Sequence, residues 1–106
     1  LIDKGAMVNI AGSDIIPLFK AVVIERYDLV KLLIDNGADV HSSDLHGDTA
    51  LHYAITPVVN DESYRIVQFL LSAGANENKK NRDGFSPVDL AKRFNNSAII
   101  KLLEGN

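Results

Sequence analysis

Three histidines and three aspartates alternate within residues 39–52, and these are the side chains from which metal sites and hydrolytic centres are built. A zinc site would need three or four of them to converge on one point. Their spacing does not match a tight ligand motif. We therefore predict no metal site and no cofactor from this cluster, which consists of Asp39, His41, Asp44, His46, Asp48 and His52.

Other catalytic motifs are also missing from the sequence. The chain has no cysteine, which excludes thiolate nucleophiles, disulfides and cysteine-based zinc sites. No Gly-x-Ser-x-Gly elbow is present, and the seven glycines are scattered and form no phosphate-binding loop before a lysine. Ser86 followed by Asp89 is typical of a helix start. The sequence predicts a non-catalytic protein with no small-molecule substrate.

The composition is that of a folded chain of one domain's length. It has 106 residues, of which 46% are hydrophobic and 24% are charged. No apolar run approaches the roughly 20 residues that a membrane span needs, and residues 1–5 lack the features of a secretory signal. Together with the absence of cysteine, this favours an intracellular protein, cytoplasmic or nuclear, without membrane insertion.

The formal net charge of −3 is unevenly distributed. Residues 1–78 carry 11 acidic and 5 basic side chains, whereas residues 79–106 carry 3 acidic and 6 basic ones. The basic residues at 79–82 and 92–93 form a patch, but the chain as a whole is acidic and lacks a platform for base stacking. We therefore expect no nucleic-acid partner, and a patch that is solvated or steers an acidic protein segment.

Internal repetition indicates which elements position these side chains. Residues 33–40 recur at residues 70–77, and the string Thr49–Ala54 has counterparts at Ile16–Ala21 and Ser86–Ala91. The final alanines of these strings are 33 and 37 residues apart. A period of this length predicts stacked units that bury their apolar faces only against one another.

Each unit is predicted to be a turn followed by two antiparallel helices. Thr49 and Ser86 are suitable N-caps for the first helix of a unit. Gly37 and Gly74 follow apolar runs and can end the second helix in the left-handed conformation. Two β-turns are predicted between units, at Asp44–Gly47 and Asn81–Gly84.

The sequence resembles the ankyrin-repeat family, whose period is about 33 residues. The strings Thr49–Ala54 and Gly37–Val40 match the family signature best, and the resemblance covers the whole chain. It implies an all-α solenoid of helix-turn-helix units with β-turn or hairpin loops. It divides the single array of residues 1–106 into the end of a truncated repeat (1–10), two repeats (11–43 and 44–80) and a terminal repeat (81–106).

Some residues depart from the family pattern. In the repeat at 11–43, Ile16 replaces the capping hydroxyl, Phe19 the signature histidine and Asp14 the turn glycine. The repeat at 44–80 has about four extra residues, which we predict to lie within Thr56–Tyr64, in a loop between its two helices. His52 occupies the signature histidine position, where the family's residue bonds loop backbone.

The resemblance implies a binding surface on the concave face, formed by turn tips and inner helices. Several residues at these positions are apolar, and exposed apolar patches mark contacts. The structural alternative is that Val23 and Phe94 pack into the core between repeats. The candidate partner-binding residues are Ile15, Val23, Ile24, Leu45, His46, Asp48, Arg82, Phe85, Arg93 and Phe94, with Thr56 and Pro57 at equivalent inner-helix positions.

The sequence thus predicts a module that binds a segment of another protein. The alternative is a regulatory or targeting part of a larger enzyme or channel. Leu1 falls inside a second helix, so end-to-end self-association through that N-terminal edge is a further expectation. The resemblance also implies possible substrate positions for an asparagine hydroxylase at Asn9, His41 and Asn78.

Overall fold

A computed structural model describes residues 17–58 and 60–104 of the chain. Its described residues form six helices and no strand, and one isolated β-bridge joins Ser43 to Thr49. The predicted positions Asn9 and Ile15 and the N-terminal edge lie outside these residues. The helices are α1 (Pro17–Val23), α2 (Tyr27–Asp35), α3 (Ala50–Ala54), α4 (Asp61–Ser72), α5 (Pro87–Arg93) and α6 (Ser97–Leu103).

The helices stack in two layers. Within each repeat the first helix packs against the second, giving the pairs α1–α2, α3–α4 and α5–α6. Between repeats, α3 contacts both α1 and α5, while α4 contacts both α2 and α6. This arrangement confirms the predicted all-α solenoid.

The first helices α3 and α5 begin directly after the predicted N-caps Thr49 and Ser86. Pro17 and Pro87 are the first residues of α1 and α5, where a missing N–H costs little. At Ser86, the side-chain oxygen accepts the N–H of Asp89, and the Asp89 carboxylate accepts the N–H of Ser86. This reciprocal pair confirms that Asp89 belongs to a helix start.

The second helices end at the predicted glycines. Gly37 and Gly74 both have φ of +102°, a value that residues with a Cβ rarely adopt. The N–H of Ala38 reaches the carbonyl of Leu33, and the N–H of Ala75 reaches that of Leu70. These bonds satisfy carbonyls that the helix end leaves free.

The predicted loop between α3 and α4 is shorter than the sequence suggested. It spans residues 55–60, and Asp61–Tyr64 form the first turn of α4. The helix begins early because the Asn60 side chain accepts the N–H of Ser63, whose hydroxyl in turn accepts the N–H of Asn60. The extra residues of this repeat therefore lengthen both the loop and α4, which has 12 residues against 9 in α2.

The core is a row of contacts between repeats. Ala21 and Ala91 are fully buried and Ala54 nearly so, and their small side chains let the first helices approach closely. Larger apolar residues fill the space between the two layers. The largest fully buried side chains are Leu18, Val30, Leu51, Ile66, Val67, Leu70, Pro87 and Ile99.

Candidate functional site

The turn tips of neighbouring repeats are joined by hydrogen bonds. The predicted turns form, since the N–H of Gly47 donates to the Asp44 carbonyl and that of Gly84 to the Asn81 carbonyl, each at 3.0 Å. The N–H of Arg82 then donates across to the His46 carbonyl at 2.9 Å. The turns of the second and third repeats are thus linked by a backbone hydrogen bond.

Asp44 and Asn81 organise their turns in the same way. Asp44 Oδ1 accepts the N–H groups of His46 and Asp48, and Asn81 Oδ1 accepts those of Asp83 and Phe85. The other terminal atom of each side chain has a different partner. Asp44 Oδ2 accepts a hydrogen bond from the Tyr53 hydroxyl, whereas Asn81 Nδ2 donates to Asp48 Oδ1 at 2.8 Å. An amide oxygen in one turn therefore accepts the same pair of backbone hydrogen bonds as a carboxylate oxygen does in the other.

The Asp44 carboxylate is buried and held in its ionised form. Burial raises its pKa, but hydrogen bonds from the Tyr53 hydroxyl and from the backbone N–H groups of Asp48 and His46 lower it by more. The net pKa of Asp44 lies below its ordinary value. Asp44 thereby contributes stability that depends on pH.

We expect Asp44→Asn to reduce the loss of stability in acid. Because the folded pKa is depressed, the contribution of Asp44 is complete above the unfolded pKa of about 3.9 and is lost as the pH falls through the folded value. Asparagine should keep the turn, as Asn81 does, without titrating. Urea unfolding at pH values from about 5 to about 2 measures the effect, with the exposed Asp83→Asn as control. Equal acid dependence in wild type and Asp44→Asn would contradict it.

His52 connects its own helix to the next repeat, as predicted. Nδ1 accepts the N–H of Thr49 at 3.0 Å, and Nε2 lies 2.9 Å from the Phe85 carbonyl. Since a carbonyl only accepts, the ring proton belongs on Nε2. His52 is buried, whereas His41 and His46 are exposed.

A cavity of about 290 Å³ lies between the second and third repeats. We name it the Phe94 cavity. The half-buried side chains of Tyr53, Leu90 and Phe94 give it apolar walls, and Asp48 and Asn81 add polar groups from the turns. It can accommodate an apolar side chain next to hydrogen-bonding groups. Its lining residues are Asp48, His52, Tyr53, Ile55, Asn81, Leu90 and Phe94.

The predicted apolar residues differ in exposure. Val23, Ile24 and Leu45 are 60%, 50% and 48% exposed, so Val23 does not pack into the core. Phe94 is half-buried against the core and also lines the Phe94 cavity. Phe85 is half-buried beneath the guanidinium of Arg93, which lies 5.3 Å from its ring centroid.

The other predicted residues occupy several places, and some are not on helices. Asp48 lines the same cavity as Phe94, whereas Val23 lines a second cavity beside Glu25. The prediction that the groove residues of the first-helix layer all lie on the inner helices is partly wrong, because α1, α3 and α5 are short. Ile24, Thr56, Pro57 and Phe94 lie just past the ends of these helices. His46, Arg82 and Arg93 are exposed, as are His41 and Asn78.

Sequence reasoning missed Tyr53, which lines both cavities. Its ring packs 4.9 Å from that of Phe19, centroid to centroid, and its hydroxyl donates to Asp44. These contacts fix the ring. A signal was available in the sequence, because Tyr53 is an aromatic residue directly after His52 at the signature position.

The described residues contain neither a metal-binding cluster nor a membrane-spanning helix. In residues 17–58 and 60–104, no three histidine or carboxylate side chains come close enough to hold a metal ion. No helix in the same residues is long and apolar enough to cross a membrane.

Comparison with known proteins identifies the family. The family profile described as Ankyrin repeats (3 copies) matches residues 1–81 and 18–105. The chain is 37% identical over 87 residues to human protein phosphatase 1 regulatory subunit 27, covering 82% of this chain and 54% of that protein. It is 39% identical over 87 residues to ankyrin repeat and SOCS box protein 5 of Mus musculus, covering 82% and 24%.

A third relative is the intracellular phospholipase A2 of Caenorhabditis elegans, 37% identical over 100 residues, which cover 91% of this chain and 9% of that protein. The chain thus spans between 9% and 54% of the length of these three curated relatives. Ankyrin repeats are a non-catalytic fold that generally mediates protein–protein interaction. The described residues form six helices stacked in two layers, and the profile matches together span residues 1–105. This chain belongs to the ankyrin-repeat family.

Proposed function

We propose that the chain binds a segment of another protein along a groove formed by its turn tips and the ends of its first helices. The groove comprises the turn residues Leu45, His46, Asp48, Arg82 and Phe85, and the helix-end residues Val23, Ile24, Arg93 and Phe94. It does not act as a catalyst. The partner segment lies across the repeats and inserts apolar side chains between them.

The observation that carries this proposal is the exposure of apolar side chains at a turn tip and at the end of a first helix. Val23, Ile24 and Leu45 are each about half exposed or more, whereas most other large apolar side chains of the described residues are buried or half-buried. The Phe94 cavity lies between the second and third repeats on the same first-helix layer. A partner that covers these residues gains the free energy of burying apolar surface.

Charges at the rim supply selectivity. Asp48 lines the Phe94 cavity from the second repeat, while Arg82 and Arg93 are exposed on the third. Asp48 already accepts a hydrogen bond from Asn81, which fixes its orientation. A partner with a basic residue near Asp48 and acidic residues near the arginines is favoured over one with the opposite charges.

We expect Val23→Asp and Leu45→Asp together to weaken peptide binding at least tenfold, which corresponds to about 1.4 kcal/mol. Peptides of 16 residues, selected from a phage-displayed random library on the wild-type chain, serve as ligands. Isothermal titration calorimetry measures their affinity for each variant. The physical reason is that the two carboxylates must be desolvated where the peptide buries apolar groups.

Leu32→Asp is the matched control, because Leu32 is 49% exposed but belongs to α2 in the second-helix layer. All variants must keep the wild-type melting temperature for the comparison to count. Equal affinity of the selected peptides for wild type and the Val23/Leu45 variant would refute the groove. A loss with Leu32→Asp alone would place the interaction on the second helices.

A regulatory role within a larger protein is the second candidate. The relatives favour it, since the chain covers 54% of a phosphatase regulatory subunit and 9% of a phospholipase. In that case the groove would contact another part of the same protein. Cross-linking within the full-length protein, initiated from a photoreactive residue at Leu45, would identify such a contact.

A further inference from the structure

A second cavity, of about 90 Å³, lies between the first and second repeats. We name it the Glu25 cavity. Its inner wall is apolar: Val22, Ile66 and Ala54 are buried, and the exposed Val23 forms part of the rim. The lining residues are Val22, Val23, Glu25, Tyr53, Ala54, Thr56, Ser63 and Ile66.

The carboxylate of Glu25 provides the charge at this cavity. Glu25 is half-buried and has φ of +59°, so its backbone is in the left-handed region that favours glycine. Asn60 Nδ2 donates to Glu25 Oε1 at 2.8 Å, which holds the side chain in place. Within the described residues, no lysine, arginine or histidine lies within 4.0 Å of this carboxylate.

Glu25 is the one charged residue among those that line the cavity, and the other charged side chains lie around the segment that follows it. Glu62 Oε2 accepts the N–H of Tyr27, which places a second carboxylate near the Glu25 segment. The nearby Arg26 is engaged with Asp28 at 3.0 Å, and the guanidinium of Arg65 lies 4.3 Å from the Tyr27 ring centroid. The site therefore attracts a cation and repels an anion.

The lengthened loop of the second repeat contributes to the cavity. Thr56, in the loop of residues 55–60, forms one wall, and Asn60 at the end of the same loop orients Glu25. On the other side of this loop, Asn96 Nδ2 donates directly to the Thr56 carbonyl at 3.1 Å. Thr56 is thus bonded to the third repeat through its carbonyl and also lines the cavity between the first and second repeats.

We propose that the Glu25 cavity binds a lysine side chain of the partner segment. This proposal rests on the proposed function, because the lysine belongs to the segment that lies in the groove. The methylene groups pack on Val23 and the apolar wall, and the ammonium group contacts Glu25 Oε2. Lysine fits better than arginine, because Oε1 already binds Asn60 and a guanidinium is bound best by two free carboxylate oxygens.

A fragment titration tests the cavity without a partner. The probe is n-butylammonium, followed by amide chemical shifts in NMR spectra of the full chain, with 1-butanol as the uncharged comparison and n-butylguanidinium as the arginine mimic. We expect saturable shifts at Glu25, Thr56 and Ser63. Glu25→Gln should weaken n-butylammonium about threefold, the range of an exposed ion pair, and leave 1-butanol unchanged.

Glu77→Gln is the matched control, since it removes the same charge from a residue that does not line the cavity. Val23→Ser should weaken both n-butylammonium and 1-butanol, because it removes apolar wall. Unchanged n-butylammonium affinity in Glu25→Gln would overturn the proposal, and so would tighter binding of n-butylguanidinium than of n-butylammonium. Absence of shifts around the cavity would do the same.

The groove peptides separate this proposal from the function on which it rests. If the cavity takes lysine, a selected peptide should lose about threefold in affinity when its lysine is replaced by glutamine, and no more when Glu25→Gln is added. If peptides bind and depend on Val23 and Leu45 but not on lysine or Glu25, the cavity proposal is wrong and the groove stands. If no peptide binds the groove while n-butylammonium still occupies the cavity, the proposed function fails instead.

Discussion

Replacing His52 with alanine is expected to lower the free energy of unfolding by about 3 kcal/mol. The substitution removes the acceptor of the buried Thr49 N–H and the donor to the Phe85 carbonyl in the next repeat. Each group left without a partner costs about 1–3 kcal/mol, and the lost ring volume adds to this. One substitution therefore weakens both the start of α3 and the contact between two repeats.

Urea unfolding followed by circular dichroism measures this effect. His46→Ala is the matched control, because His46 is exposed in the adjacent turn and its loss should change stability by less than about 0.5 kcal/mol. His52→Phe separates volume from hydrogen bonding and should cost about 2 kcal/mol, since it fills the site but bonds neither group. If His52→Ala lowers the free energy of unfolding no more than His46→Ala does, the hydrogen bonds of His52 to Thr49 and Phe85 do not stabilise the stack.

Gly47→Ala is expected to cost about 3 kcal/mol, from two sources. Gly47 has φ of +79°, a region that costs an L-residue about 1–2 kcal/mol. A Cβ there would also lie 3.0 Å from the backbone nitrogen of Arg82 and 3.2 Å from Cα of Asn81. Because these are backbone atoms of the next turn, relief requires moving one turn away from the other.

Gly84→Ala provides the control at the equivalent position of the next repeat. Its φ is +86°, but a Cβ there would meet no atom within 4 Å. It should therefore cost only about 1–2 kcal/mol, the conformational part alone. The difference between the two variants, measured by urea unfolding, reports the contact between turns. Equal losses would show that the turns are free to separate.

These two positions bear directly on the groove. The Arg82 N–H to His46 carbonyl bond and the His52 bridge hold the second and third repeats at a fixed spacing. The Phe94 cavity lies between the same repeats. We expect Gly47→Ala to weaken groove peptides as well, because it displaces the turn that carries Arg82 and Phe85.

Local features of the fold were predictable from residue types over short distances. The glycines at 37 and 74, the caps at Thr49 and Ser86 and the turns at residues 44–47 and 81–84 depend on backbone preferences of a few neighbouring residues. The start of α4 was also encoded locally, in Asn60 and Ser63, but the extra residues of this repeat were assigned entirely to a loop.

The sequence by itself determined the repeat period, the helix pairs and the turns, because each follows from local conformation or from a repeated motif, and the family resemblance supplied the role of His52. Only the tertiary structure decided which side chains meet between repeats. Glu25 and Asn60 are 35 residues apart, and the ring of Tyr53 packs on Phe19 of the previous repeat. Such contacts depend on how closely two repeats stack and on the path of a lengthened loop, and neither quantity is encoded in the residues of one repeat alone.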